Sequence, residues 1–444
     1  MSHVTEKYFD AAVQAIAESV SFDSSMKPAE GNYPFGKETA DCLAHFLKIA
    51  EDMGFETHNY DNYVGEVVFG EGEEIAVLAH LDVVPAGSGW KYPPFGAVIN
   101  DDVSDGGMAR TKMWGRGTMD DKGPAVATLF SLKALKDSGF SPKRKIKLIV
   151  GCNEESGWAC LDHYNKVAKM PDEGFSPDAD FPVIYAEKGI YHFESVFPIE
   201  NAPFTSFSAG ERVNMVCDGA QAVLTEEGAE KFAAYQGSYD GVRLEYDEKT
   251  GILKAFGKSA HGSTPEKGAN ALGGLLQFFA SFNKDIKKAF DVLFADSASL
   301  KTMQDETGYL TMSPDLAKFE NGALVITTDI RFPATHKKRE IEEKLEAAGV
   351  TYREISYQAP LYNDPNGKLI STLMQVYNRV TGRNEKPVAI GGGTYARALK
   401  CGCGFGPEFE NEEATIHQAN EYILLDRIRL MLEIYYEALK ALTN

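Results

Sequence analysis

Short apolar runs recur along the chain and stop at polar residues. Ile75–Ala79, Lys145–Val150 and Val183–Ala186 read as strands covered on both faces. Gly123–Lys136, between two of them, carries helical spacing, and this alternation predicts α/β architecture. Val4–Val20 predicts an amphipathic helix. After Ala186 the pattern changes. Residues 190–370 alternate short strand patterns with helices near Asn270–Phe282 and Arg339–Ala348, and Asp329-Ile330-Arg331-Phe332-Pro333 reads as a strand end. The last part is again apolar and glycine-rich and closes in a helix over Ile423–Leu442. The expected organisation is a discontinuous domain from residues 1–188 and 368–444, with an inserted α+β domain over 189–367 of one or two subdomains. No internal repeat or low-complexity tract interrupts it.

A chain of 444 residues suits two or three domains, and 43% hydrophobic with 25% charged residues is globular composition. A formal charge of -20 argues against nucleic acid and anionic membrane surfaces as partners. The first 20 residues are polar and mixed, so no leader is expected, and no apolar run reaches the roughly 20 residues of a membrane helix. Six cysteines without a regular framework suit a reducing cytoplasm. Cys401-Gly402-Cys403 lacks a second pair at zinc-finger spacing and reads as a glycine-rich turn.

The chemistry is expected where the strands end. His80 and Asp82 follow the first apolar run. Asp120 and Asp121 precede the helix that begins near Gly123. Glu154 and Glu155 follow Val150, Asp178 precedes the next strand, and His417 precedes the last helix. In open α/β sheets ligands sit beyond the carboxyl ends of the strands. Imidazole and carboxylate groups gathered there are the donor set of a hydrolytic zinc site, and two ions side by side need a bridging carboxylate. Taken singly, a histidine or a pair of acids is more often surface than ligand; joint placement favours a metal centre.

The motifs His80-Leu81-Asp82-Val83-Val84-Pro85, Gly115-Arg116-Gly117-Thr118-Met119-Asp120-Asp121-Lys122-Gly123, Asn153-Glu154-Glu155-Ser156-Gly157, Ser259-Ala260-His261-Gly262-Ser263-Thr264-Pro265 and Gly391-Gly392-Gly393-Thr394-Tyr395-Ala396-Arg397 occur in that order. Over nearly the whole chain this resembles the co-catalytic zinc amidohydrolases, which include aminoacylases, carnosinases, desuccinylases and glutamate carboxypeptidases, and within them the PepV-type dipeptidases. The resemblance implies a zinc-aminopeptidase-like catalytic domain, with a mixed sheet covered by helices, and an inserted lid. It implies two divalent ions per chain, zinc first, with manganese or cobalt as alternatives. His80 and Asp178 would hold one ion, Glu155 and His417 the other, and Asp120 would bridge them. Asp82 would orient His80 through its far nitrogen, Glu154 would be the general base, and the Asp120–Asp121 peptide would be cis. His261, from the lid, would donate to the oxyanion.

The same resemblance implies a cytoplasmic dipeptidase acting on unblocked dipeptides. Arg331 matches a clamp for the free carboxylate, with Gly392, Gly393 and Thr394 as further donors and Asn214 as a second contact. About 180 residues separate Lys188 from Lys368, a lid larger than that of dimeric relatives, so His261 and Asn214 are expected to act in cis in a monomer. The stretch from Asp101 to Met113 is longer than the family's usual hairpin and is expected to be a surface loop extension. Rival readings are a deacylase of N-acyl amino acids, a non-catalytic metal- or peptide-binding protein, and a structural protein whose acids are surface charge. The pairing of Glu154 with Glu155 argues against the second, because a binding protein needs no base.

Overall fold

The computed structural model describes residues 3–102, 110–410 and 412–444. The chain forms two compact units. The first comprises Met1–Tyr185, Asn363–Val388 and Gly393–Asn444; the second comprises Ala186–Tyr362 and Ala389–Gly392.

In the first unit a mixed sheet runs in the order Glu56–Tyr60, Val64–Phe69, Lys145–Gly151, Glu74–His80, Glu173–Ser176, Cys401–Gly404. The strand Glu74–His80 is parallel to both neighbours, Lys145–Gly151 and Glu173–Ser176. From Ile75 to His80 it is buried throughout, as its unbroken apolar run requires. The helix Lys122–Asp137 packs on this central strand and on Phe9–Val20 and Leu425–Leu442, while Lys37–Asp52 packs on Glu56–Tyr60 and Val64–Phe69 at one edge. His80 pairs with Gly151 in register, and Leu81 N–H donates to the Gly151 carbonyl at 2.9 Å. Three parallel strands therefore end together. Their carboxyl ends lead into His80, into Glu154 and Glu155, and into Asp178.

Three sequence expectations need correction. The helix expected over Val4–Val20 is two, His3–Glu6 and Phe9–Val20; Tyr8 N–H turns back to the Thr5 carbonyl at 3.0 Å and closes the first. Cys401-Gly402-Cys403 is not a turn but part of a strand parallel to Glu173–Ser176. The small residues there serve close packing, since a Cβ on Gly402 would collide with the Ala396 carbonyl. All six cysteines are free thiols. Of the expected loop extension over 101–113, Asp101–Asp102 and Arg110–Met113 are paired strand, within Val98–Asp102 and Arg110–Trp114. The remainder, 103–109, lies outside the described residues.

The second unit is an eight-stranded antiparallel sheet in the order Arg243–Asp247, Ile252–Phe256, Gly219–Leu224, Phe204–Ala209, Thr311–Glu320, Ala323–Phe332, Gly189–Pro198, Thr351–Gln358. Burial alternates along Gly189–Pro198 and Gly219–Leu224, so one face is covered and the other is not. The helices Ala271–Ala280 and Lys284–Leu293 supply Leu275, Phe278, Phe279 and Ile286 to a core of its own. Asn270 and Asn283 cap these helices by accepting from Gly273 N–H and Ile286 N–H.

Candidate metal centre

All eight residues singled out at strand ends, His80, Asp82, Asp120, Asp121, Glu154, Glu155, Asp178 and His417, lie in the first unit. Asp120 is at the centre. Its Oδ1 lies 2.9 Å from His80 Nε2 and its Oδ2 lies 2.9 Å from His417 Nε2. Asp178 Oδ2 is 3.5 Å from His80 Nε2, and Glu155 Oε1 is 3.1 Å from His417 Nε2. His80, Asp120 and Glu155, and likewise His80, Glu154 and Asp178, each bring one ligand atom within 4.8 Å of the others. Donor atoms about 2.0–2.2 Å from a four-coordinate ion are about 3.3–3.6 Å apart, a few tenths of an ångström from what is seen.

A second observation supports the fit. His80 Nε2 and Asp120 Oδ1 face each other, yet neither has a hydrogen-bonding partner among the described residues, and both are buried. Buried polar atoms are ordinarily satisfied, and two lone-pair atoms left facing one place mark a position that a cation would fill.

The electrostatics agree. Burial lifts Glu154 well above the usual carboxylate range, and Asp178 and Glu155 add to it against the pull of His80. Burial, reinforced by Asp120, pushes Glu155 up to about 7, and the same two causes raise Asp178. Only Asp120, between two imidazoles that outweigh its burial, is held low. Burial acts to lower His417, but Asp120 and Glu155 beside it lift it to about 11. Four carboxylates, Asp120, Glu154, Glu155 and Asp178, thus crowd around two imidazoles, a donor set able to hold divalent cations.

The supports around the ligands are specific. His80 Nδ1 lies 2.9 Å from the backbone carbonyl of Asp82, while the Asp82 carboxylate is 3.5 Å from the same nitrogen. The imidazole is thus oriented by the Asp82 carbonyl, which makes Nδ1 the protonated nitrogen and frees Nε2 as a ligand atom. The carboxylate of Asp82 does something else: its two oxygens accept the backbone N–H groups of Glu154 and Glu155, at 3.0 and 3.1 Å. One aspartate therefore positions the His80 imidazole with its main chain and two acids with its side chain. Asp121 Oδ2 accepts His80 N–H at 3.1 Å, and the Asp120–Asp121 peptide is cis.

Glu421 had no role assigned from the sequence. The strand Tyr422–Leu424 pairs with Arg110–Trp114 and sets Glu421 beside Gly115. Fully buried, its Oε1 accepts N–H groups from Gly117, Met119 and Asp120 at 3.0, 2.9 and 3.3 Å, and its Oε2 accepts from Arg116 at 2.7 Å. It shapes the loop that presents Asp120. Glu421→Gln is expected to destabilise the fold by about 3–5 kcal/mol, because it leaves the buried Arg116 charge uncompensated. Denaturant unfolding measures this, and a loss under 1 kcal/mol would refute it.

The second unit gathers most of the remaining candidates. Met215 and His261 form an antiparallel bridge, and Gly262 N–H donates to the Asn214 carbonyl at 2.8 Å. Ser263 N–H donates to His261 Nδ1 at 3.1 Å, so the proton of the neutral imidazole sits on Nε2. Arg331 is clasped by Asp329, with Nε 2.8 Å from Oδ1 and Nη2 2.9 Å from Oδ2, and Nη1 donates to the Gly391 carbonyl at 3.1 Å. A side chain at Gly262 would collide with the Asp329 carboxylate, so the His261 loop packs on the aspartate that holds Arg331. Gly392 ends this unit, while Gly393 and Thr394 begin the next segment of the first unit. There the Thr394 hydroxyl accepts Ala396 N–H at 3.1 Å.

A mixed α/β sheet whose parallel strands end in a His/Asp/Glu cluster able to hold divalent ions defines a metallohydrolase-like unit. Residues 76–441 match peptidase family M20/M25/M40, and the chain belongs to that family. It is 32% identical to a beta-Ala-Xaa dipeptidase of Lactobacillus delbrueckii subsp. lactis, over 98% of this chain and 96% of the relative. It is 34% identical to a putative dipeptidase of Bacillus subtilis (strain 168), over 93% and 92%. Human carnosine dipeptidase 1 shares the fold, with a TM-score of 0.56 at 15% identity over 99% of this chain and 98% of that one. So does an aminoacylhistidine dipeptidase from Vibrio alginolyticus, with 0.57 at 14% over 97% and 96%. Among the described residues no helix is long and apolar enough to cross a membrane.

Proposed function

We propose that this chain is a metal-dependent dipeptidase that hydrolyses the peptide bond of unblocked dipeptides. The observation that carries the reading is the Asp120 carboxylate, with one oxygen on each of two histidines and further acids within reach. Family membership and the dipeptidases among the relatives support it. His80, Asp178 and one oxygen of Asp120 would hold one divalent ion; His417, Glu155 and the other oxygen would hold a second. Zinc suits this mixed donor set best, with manganese or cobalt as alternatives. When bound, such ions supply Lewis-acid polarisation of the scissile carbonyl and increase the acidity of water.

The protein groups divide the remaining work. Glu154, carried on the loop that Asp82 anchors, takes a proton from the attacking water as the C–O bond forms. As the C–N bond breaks, Glu154 returns that proton to the leaving amine. His261, with its proton on Nε2, donates to the carbonyl oxygen as negative charge develops there. Arg331 keeps one N–H on each terminal nitrogen after serving Asp329 and Gly391, and these bind the substrate's free carboxylate. Asn214, Gly392, Gly393 and Thr394 complete the substrate contacts, and the chain works as a cytoplasmic monomer.

The test is a panel of free and N-acetylated dipeptides, assayed before and after chelation and after adding back zinc, manganese or cobalt. Free dipeptides are expected to be cleaved, chelation to abolish the activity, and one or more metals to restore it. Preference for the acetylated series would instead favour the deacylase reading, and activity indifferent to chelation would exclude both.

A further inference from the structure

Glu154 is held at two points. Its backbone N–H is fixed by Asp82, and its carboxylate Oε1 accepts the indole N–H of Trp158 at 3.1 Å. The loop geometry that makes this possible is unusual. Gly157 and Trp158 both have left-handed φ, +132° and +66°. For a bulky residue such as tryptophan that conformation is disfavoured, and it persists where the surroundings over-determine it. Here they do. Trp158 N–H closes back on the Asn153 carbonyl at 2.8 Å, and Ala159 N–H donates to Asn153 Oδ1 at 3.0 Å. The turn thus returns the indole to the residue that follows Asn153.

The indole is also fixed from the other side. Its ring meets Tyr395 edge to face, with centroids 5.2 Å apart and planes at 79°. Tyr395 is buried, its hydroxyl is 2.8 Å from Cys160 Sγ, and its ring lies 6.1 Å from His80. A side chain at Gly151, where the strand ends, would collide with that hydroxyl. The Trp158 donor is therefore locked by the same layer that backs the metal ligand His80.

We propose that Trp158 is a positioning residue for Glu154: its indole N–H occupies Oε1 and sets the plane of the carboxylate, so that Oε2 does the proton transfer. The inference rests on the reading of Glu154 as general base. A carboxylate left to rotate would present either oxygen at a range of angles. One fixed donor converts it into a base with a single orientation, and orientation of this kind is a recurrent source of rate. A hydrogen bond to a charged group also has a larger effect than a neutral one.

The experiment is a double-mutant cycle on the metal-loaded enzyme. Trp158→Phe keeps a ring against Tyr395 and removes only the donor. It is expected to lower kcat about ten-fold, with KM for a dipeptide, bound metal and melting temperature unchanged. In a Glu154→Asp background, where the shortened carboxylate no longer reaches the indole, the same change is expected to alter kcat less than two-fold. Equal losses in both backgrounds would make Trp158 a packing residue and overturn the proposal, as would a wild-type kcat for Trp158→Phe or a loss explained by missing metal. Should Trp158→Phe fail to fold, the chain's three tryptophans give a second readout. One indole N–H resonance, slow to exchange with solvent, is expected to become fast in Glu154→Ala; no change in any of the three overturns the contact. Wild-type turnover by Glu154→Gln would refute the base assignment itself, which is a separate outcome.

Discussion

Glu154→Gln is expected to retain its metal and lose between about 10² and 10⁴ in kcat, the range a general base contributes. Glutamine has the shape of glutamate. Its amide oxygen can still accept the Trp158 indole N–H, and its backbone N–H can still donate to Asp82, as both do for Glu154. What changes is the second oxygen, which becomes an NH₂ group unable to take a proton. The variant thus separates proton transfer from position. The measurement is turnover at saturating dipeptide alongside metal content by atomic spectroscopy. An unchanged kcat with full metal would remove Glu154 from the chemistry, and metal loss would make it a ligand instead. The metal measurement discriminates because Glu154 stands within reach of His80 and Asp178.

The candidate metal ligands were legible in the sequence because each follows, or leads into, a strong local signal. An apolar run that stops at His80, and another that stops at Val150, are strand ends whatever their partners. Parallel pairing of those runs then brings His80 and the Glu154–Glu155 loop together in register. His417 was harder, since no run ends there; its place follows from Tyr422–Leu424 pairing across to Arg110–Trp114. The supports were not legible. Glu421 acts on Gly117, Met119 and Asp120, some 300 positions away, through backbone N–H groups that carry no residue identity. Asp82 was singled out for its carboxylate near His80, but its carbonyl makes the shorter contact, because a carbonyl two residues on from the histidine already curls back onto Nδ1. Trp158 hid in a loop that only a left-handed backbone closes. Cys401-Gly402-Cys403 read as a glycine-rich turn, and is part of a strand because small residues let it lie against its neighbours. Local pattern reports what a segment prefers; these four depend on what it meets.

Removal of the Asp120 carboxylate should have the largest effect on metal. In Asp120→Ala each imidazole loses its own carboxylate oxygen 2.9 Å away, because both oxygens belong to one side chain. The His80 group keeps Asp178 and the His417 group keeps Glu155, so each half retains one acid rather than two. The expected result is a protein that elutes from a desalting column with less than half the wild-type metal content and no measurable dipeptidase activity. The loop itself should survive, since Glu421 holds it through the backbone of residues 117, 119 and 120 rather than through the Asp120 side chain. Thermal unfolding distinguishes this from misfolding. An ion that binds only the folded chain stabilises it by about 2.7 kcal/mol at a hundred times its Kd. For a domain of this size that raises Tm by about 5–10 °C. Chelated wild type and chelated Asp120→Ala are therefore expected to melt in a cooperative transition each, and on addition of zinc only the wild type should shift. A variant that shifts as much as wild type would show that Asp120 is dispensable for binding, and the bridging role would then have to pass to another acid of the cluster.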